Sequence, residues 1–380
     1  MENIKKVFVG LSGGVDSAVS AALLKKEGYD VTGVFIKAWT PEGYPCTWKE
    51  DRRSAMRVAA VLDIPLITLD LEKEYKKEVV DYMIAEYKAG RTPNPDVVCN
   101  KEIKFGHFLK FALKNGADFV ATGHYCQTSP PTKISTKLDV EVLLLEGKDE
   151  NKDQSYFLWT LTQEQLKHIL FPIGHLQKSE VRKLAEKFNL PQATRKDSQG
   201  LCFLGKVDMK EFLSRYIPEK RGDVLDLESK KIGHHSGALF FTIGERHGFT
   251  ITKKTEKEVP LYVVSKDIKK NTITVSSKTS PPTKISTKLD VAETPLSLPR
   301  RGGQGGEVLL KDINLINPTS LKLRRTKENL LCRIRYRQEK VGCKIEGNRI
   351  IFDKPQMGVS PGQSLVLYNG EICLGGGIIS

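Results

Sequence analysis

The chain has 380 residues, with 60 lysines and arginines against 46 aspartates and glutamates, for a formal charge of +14. That length exceeds one typical core and implies two or three domains. No stretch reaches the ~18–20 apolar residues of a membrane span, and Met1-Glu2-Asn3 is too polar to open a signal peptide, so a soluble cytoplasmic protein without a membrane partner is expected.

An excess of cations of this size points to a polyanionic partner, nucleic acid first. The seven cysteines (46, 99, 126, 202, 332, 343 and 373) form no CxxC pair. That excludes a zinc ribbon or a secreted disulfide framework, and no metal site is expected. Each thiol is then either a small buried hydrophobe or a reactive group.

The first element is Val7–Leu11, a short β-branched run that reads as a buried parallel strand. Ser12-Gly13-Gly14 makes a tight turn, and the helical pattern AVSAALLKKEG runs on to Gly28. Glycines at 13 and 14 tolerate positive φ and let backbone approach a ligand. Turn and first-helix N–H groups then share one concavity, which with the helix dipole binds anions. Ser12 and Ser17 add hydroxyls. No lysine follows Gly14, so this is not the kinase-type phosphate loop.

Residues 31–37 form a second predicted strand, Asp51–Leu62 a helix, Leu66–Asp70 a third strand and Tyr75–Lys88 a helix. Lys101–Lys114 is another helix, and Phe119–Thr122 a fourth strand that ends in Gly123-His124-Tyr125. Strands alternating with helices imply an α/β fold with a doubly wound parallel sheet, whose ligands sit beyond the carboxyl ends of the strands. His124 is there either a base or a packed loop residue, the second reading weighing more.

Before the 101–114 helix, Pro93 and Pro95 stiffen the segment Arg91–Phe105. Asn100 reads as the helix cap, so Cys99 would lie just ahead of a helix start, between a reactive and an inert reading. Thr162 and Gln165 form a capping box that opens a helix TQEQLKHIL, and Ser179–Phe188 is a further helix. Cys202 lies between glycines at 200 and 205 with Arg195 and Lys196 upstream, which suits a mobile reactive thiol. The polar run Asn151–Phe157 is a candidate contact surface.

Beyond residue 206 the period changes to strand. His234–Ile243, Leu261–Ser265 and Thr272–Ser276 are expected strands, followed by Leu331–Arg337, Val341–Ile345, Arg349–Phe352 and Ser364–Leu367. Asn369-Gly370 signals a two-residue hairpin, and the C-terminal part reads as a small antiparallel barrel. Arg333, Arg335 and Arg337 would line one face of a strand, either tracking phosphates or simply solvated. Residues 128–140 and 279–291 are identical over thirteen positions. Two such copies suit surface loops, with 279–306 a flexible insertion. The expected domains are 1–205, 206–278 and 307–380, with 279–306 between the last two.

SGGVDS resembles the phosphate loop of the ATP pyrophosphatases. Taken with TPNPDVVCNKEIKF, ATGHY, NKDQSYFL, KDSQGLCF and SPGQSLVLYNGEICLGGGII, the chain closely resembles the bacterial tRNA-specific 2-thiouridylase family. That resemblance implies an N-terminal ATP pyrophosphatase domain, a small central domain and a C-terminal barrel that helps hold tRNA. It implies sulfur replacing O2 of the wobble uridine in tRNAs for Lys, Glu and Gln.

By motif, Gly10, Leu11, Ser12, Gly13, Gly14, Val15, Asp16, Ser17, Ile36 and Gly123 would bind ATP, with Mg²⁺ as its companion. Ile36 stands where the family has methionine. Cys99 matches the nucleophile and Cys202 the persulfide carrier, with a Cys99–Cys202 disulfide to follow. Asn94, Pro95 and Asp96 match the segment that meets the target base, and Asp96 is a candidate general acid/base. Lys152, Asp153 and Gln154 match one tRNA contact, Arg335 and Tyr336 another. A sulfur-relay or cysteine desulfurase protein would be a partner of the monomer.

Other ATP pyrophosphatases that act on nitrogen nucleophiles share the loop but have no use for two thiols. An RNA-binding protein with a vestigial loop would release no pyrophosphate, and an iron–sulfur thiolase is disfavoured by the scattered cysteines.

Overall fold

Val7 and Val9 point to one face of the first strand and Phe8 to the other, and the first domain is built outward from that alternation. The computed structural model describes residues 4–44, 48–129, 141–195, 208–252, 259–277, 306–317 and 330–380. The Cys202 segment, most of the first repeat copy and all of the second lie outside the described residues.

Strands β1 (Lys6–Gly10), β2 (Asp30–Lys37), β3 (Leu66–Asp70) and β4 (Phe119–Ala121) are parallel neighbours in the order β3-β2-β1-β4. A fifth strand, β7 (Ile169–Leu170), extends β4 with Val120 opposite Ile169. The sequence pattern predicts helix there. The capping box at Thr162 and Gln165 does form, but the helix spans only Gln163–Leu166. Isoleucine and leucine beside an open parallel edge gain more from pairing than from another helical turn.

Phe8, Val34, Ile36 and Val120 pack with Tyr75, Val79, Met83 and Ile103 on one face. Val7, Val9, Phe35 and Ala121 pack with helix α1 (Val15–Lys26), helix α2 (Trp48–Val61) and the helix Lys178–Lys187 on the other. The doubly wound sheet is therefore as expected.

One helix start differs. Helix begins at Pro95, with the Asn94 side chain accepting from the Val97 N–H at 3.3 Å and proline at the first helical position. It continues with π-type turns over Cys99–Phe108 and then α-helix over Leu109–Lys114. Asn100 is thus no cap, and Cys99 lies one turn inside the helix rather than ahead of it.

The second unit is a sheet of β8 (Gly222–Leu225), β9 (Lys231–His235), β10 (Phe249–Ile251), β11 (Tyr262–Asp267) and β12 (Thr272–Ser276), ordered β10-β9-β8-β12-β11. The strand expected over 234–243 stops at His235. Gly237 adopts φ +152°, and a short 3₁₀ turn follows over Ala238–Phe240.

The third unit is the expected barrel, made of β13 (Glu307–Leu315), β14 (Leu330–Arg333), β15 (Val341–Glu346), β16 (Arg349–Phe352), β17 (Ser364–Asn369) and β18 (Ile372–Ile379). Order β13-β16-β15-β14-β17-β18 closes through pairing of β18 with β13. Gly370 and Glu371 make the two-residue connection between β17 and β18.

Strands β5 (Cys126–Ser129) and β6 (Leu143–Glu146) pair antiparallel and extend this sheet, with Leu145 opposite Ile372 and Leu144 opposite Cys373. The first domain thereby donates two unexpected strands to the last. The arginine strand differs too. β14 ends at Arg333, the chain turns over the next residues, and Arg337 takes φ +63°, so the three arginines share no strand face. Among the described residues no helix is long and apolar enough to cross a membrane.

Candidate active site

Gly10 closes β1 and Gly14 precedes α1, so the loop between them lies at the carboxyl end of the central strand. Gly13 takes φ +79°, and a Cβ there would meet the Asp51 carbonyl at 2.6 Å. Ser17 Oγ accepts from the Ser12 N–H at 3.3 Å and donates to the Gly14 carbonyl at 3.2 Å, which ties the turn to the helix it opens. The first-turn N–H groups of α1 have no intrahelical acceptor and face outward as donors. Val15 and Leu11 are buried beneath the turn.

Gly123 follows β4 and abuts the same helix start: its Cβ would lie 2.8 Å from the Ser17 nitrogen. Gly10, the loop and Gly123 thus converge. Ile36 is 6 % exposed and packs with Phe8 and Val34 in the core beneath the strand ends.

Charged groups surround the loop in a way the sequence did not reveal. Asp16 accepts from the Tyr125 hydroxyl at 2.8 Å and from Lys178 Nζ at 2.7 and 2.9 Å. Arg195 donates to the Gly13 carbonyl at 2.7 Å and to Asp51 Oδ1 at 2.6 Å. Lys178 stands 162 positions from Asp16, and no local pattern connects them. His124 settles as the packed residue: Nδ1 lies 2.8 Å from Thr122 Oγ1 and Nε2 3.4 Å from Lys104 Nζ. Burial first, and the Lys104 ammonium second, hold its pKa well below 6.5, so the ring stays neutral.

The Asn94–Cys99 segment lies on the face opposite α1. Cys99 is completely buried, among Val97, Ile103 and Phe105. Asn94, Pro95 and Asp96 are partly exposed. Asn100 is 3 % exposed; its amide donates to the Phe157 carbonyl at 3.4 Å, and its Oδ1 has no partner among the described residues. The Cys202 thiol lies outside the described residues.

The run expected to be a contact surface is largely interior. Asp153 is 3 % exposed and accepts from the Gly147 and Ser155 N–H groups at 3.0 and 3.1 Å and from Arg333 at 3.0 Å. Gln154 accepts from the Tyr125 N–H at 3.1 Å, in line with the Tyr125–Asp16 bond. Lys152 remains partly exposed. A sequence rich in Asn, Lys, Asp and Gln reads as surface because its partners come from residues far along the chain.

Arg335 donates to the carbonyls of Ile243 and Gly358, joining the central sheet unit to the barrel. Tyr336 packs on Phe157 at 4.5 Å between ring centroids, with Arg337 stacked on it at 5.0 Å. Thr92 donates its N–H to the Pro361 carbonyl at 2.8 Å, and Gln363 donates to the Thr92 and Pro93 carbonyls at 3.0 and 3.1 Å. The result is a cleft of about 360 Å³ at the meeting of three units, lined in part by Pro93, Pro95, Thr242, Arg335 and Gln363. Pro95 and Arg335, from two separately expected regions, therefore line one cleft.

Three family models divide the chain: a tRNA methyl transferase HUP domain over residues 5–206, a tRNA methyl transferase PRC-barrel domain over 210–277 and an aminomethyltransferase β-barrel domain over 306–379. The chain is 44 % identical to the tRNA-specific 2-thiouridylase MnmA of Streptococcus thermophilus (strain ATCC BAA-491 / LMD-9), over 98 % of this chain and 95 % of that one. It is 43 % identical to the MnmA of Nitrosomonas europaea, over 99 % and 98 %. The U34-tRNA thiolase NcsA of Methanococcus maripaludis aligns at 20 % identity over 56 % of this chain and 64 % of that one, with a TM-score of 0.34, too slight a likeness to bear on function. With such identity along nearly its whole length, the chain belongs to the tRNA-specific 2-thiouridylase family.

Proposed function

We propose that this protein uses ATP to replace O2 of the wobble uridine with sulfur in tRNAs for Lys, Glu and Gln. The observation that carries the reading is the glycine cradle at Gly10–Ser17, closed by Gly123 and backed by the start of α1. A cradle of backbone donors at a helix N-terminus suits the phosphates of ATP. A uridine carbonyl oxygen is a poor leaving group, and attaching AMP to it makes a good one. In that step O2 bonds to the α-phosphorus, the bond from that phosphorus to the oxygen bridging to the β-phosphate breaks, and pyrophosphate leaves with the electron pair.

Cys202 carries a persulfide sulfur supplied by a relay protein or a cysteine desulfurase. The Cys99 thiolate attacks the Cys202 sulfur, a Cys99–Cys202 disulfide forms, and hydrosulfide is expelled. Hydrosulfide adds at C2 and AMP departs; a thiol reductant then restores both cysteines. Asp96, partly exposed in the first turn of its helix, takes the uracil N3 proton when O2 attacks. Because Cys99 is buried, one of its covers must move for this chemistry.

Asp16 offers carboxylate oxygens to a magnesium ion accompanying the triphosphate, whose charge that ion would neutralise. Pro95 and Arg335 line one cleft, which supports a base turned out of the anticodon stack entering there. Lys152, Asp153 and Gln154 act together, Lys152 toward RNA and the other two holding the segment. The protein works as a cytoplasmic monomer.

The test is nucleotide turnover by the full chain. AMP and pyrophosphate should form with unmodified tRNA and not with small amines. Turnover with an amine alone, or tRNA binding with no pyrophosphate, would contradict the reading.

A further inference from the structure

Lys178 has no role in the thiolation scheme above, yet its ammonium stands at the helix start that backs the phosphate loop. Its side chain is 15 % exposed, and Nζ bonds both oxygens of Asp16 in the first turn of α1. It opens the ten-residue helix Lys178–Lys187, which packs on α1 in the same core. The Lys178 N–H bonds Asp149 Oδ2 at 2.9 Å, and the Gln177 N–H bonds Glu180 Oε2 at 2.7 Å, so the backbone bearing Lys178 is fixed from both sides. The ammonium also lies 5.8 Å from the centre of the Tyr125 ring. It is thus a held charge rather than a free surface lysine, standing where α1 presents its unpaired N–H groups.

Resting on the adenylation reading, we propose that Lys178 is a catalytic residue that binds the departing pyrophosphate. In the empty loop Asp16 is its counter-ion. When the triphosphate occupies the cradle, the ammonium swings from Asp16 to a non-bridging oxygen of the β-phosphate. As O2 of uridine bonds the α-phosphorus and the bond to the bridging oxygen breaks, negative charge accumulates on the pyrophosphate, and Lys178 stabilises it by a charge-assisted hydrogen bond. No proton leaves the lysine; the N3 proton of the uracil goes to Asp96, and pyrophosphate carries off the electron pair.

Two ligands separate this role from a merely structural ion pair. Inorganic pyrophosphate and AMP are titrated calorimetrically into the full-length protein, in buffer with EDTA. Lys178→Gln should weaken pyrophosphate binding about tenfold or more, the usual loss on removing one charged contact. AMP affinity should stay within about twofold, and Lys178→Arg should restore much of the pyrophosphate affinity. Asp16→Asn frees the ammonium and should leave pyrophosphate binding equal or tighter. A purely structural pair predicts instead that Asp16→Asn and Lys178→Gln weaken pyrophosphate alike.

With tRNA, single-turnover pyrophosphate release should fall about 10²–10³-fold in Lys178→Gln, the range for one oxyanion-type donor. Unchanged pyrophosphate affinity in Lys178→Gln, or equal losses for AMP and pyrophosphate, overturns the proposal. Should the wild-type protein bind pyrophosphate through Lys178 but release none with tRNA, adenylation of tRNA is the part that fails.

Discussion

Gly123 contributes only its lack of a side chain. A Cβ at this position would fall 2.8 Å from the Ser17 nitrogen and 2.9 Å from the Asp16 carbonyl carbon, both backbone atoms of the phosphate loop. Gly123→Ala must push the loop away, an overpacking cost of about 1–3 kcal/mol. The melting temperature should fall, and calorimetry should show weaker ATP binding than in the wild type because the displaced loop no longer presents its donors together. The two thiols make a sharper pair. Cys99→Ser and Cys202→Ser should each abolish thiolation, while Cys202→Ser should still release AMP in the presence of tRNA.

His124 gives a pH dependence. Its folded pKa lies well below 6.5, so below that pH the unfolded chain binds a proton that the folded chain refuses. The residue therefore costs nothing above about pH 6.5 and lowers stability as the pH falls beneath it, by up to about 1.4 kcal/mol per unit. Urea unfolding of His124→Asn at pH 7.5 and 5.5 should show a smaller acid loss than the wild type. An equal loss in both would mean that the buried ring is charged.

Elements made of local signals were legible, and those made by distant partners were not. The β1–loop–α1 unit follows from Val7–Ser17 alone, because strand, turn and helix signals lie within eleven residues. The capping box at Thr162 and the turn at Gly370 were likewise local. The hairpin of Cys126–Ser129 and Leu143–Glu146 was missed because its reason is β18, more than two hundred residues on. Ion pairs reinforce that joint: Arg333 bridges Glu146 at 3.1 Å and Asp153 at 3.0 Å, and Lys340 reaches Glu146 at 2.7 Å.

The same partners explain why the arginine stripe failed as a strand face, since Arg333 is committed to Asp153 and Arg335 to the Ile243 and Gly358 carbonyls. Arg333→Ala strands a carboxylate that is 3 % exposed, and removing one partner of a buried pair costs about 3–5 kcal/mol. Denaturant titration should show that loss. A change below about 1 kcal/mol would mean that the first domain and the barrel are not joined through this network.

Across the whole molecule, a formal charge of +14 is joined to a cleft that three units must build together. Arg335 holds two of them in register from beside that cleft. Arg335→Ala should therefore weaken tRNA binding about tenfold or more while leaving ATP affinity unchanged, the loss of one charged, bridging group. Binding should also weaken steeply with added salt, as phosphate contacts release counterions. The charge excess and the motifs were readable as nucleic-acid and nucleotide signals. The cleft was not, because Pro93, Thr242 and Gln363 carry no mark of their meeting until the chain is folded.

The central claim is that one glycine cradle activates a tRNA oxygen so that two thiols exchange it for sulfur. Mass spectrometry of nucleosides from unmodified tRNA, incubated with the protein, ATP and a persulfide donor, tests it most directly. The account predicts 2-thiouridine at the wobble position, formed together with AMP. Sulfur at another position, or wobble uridine left unchanged while AMP is also absent, would contradict it.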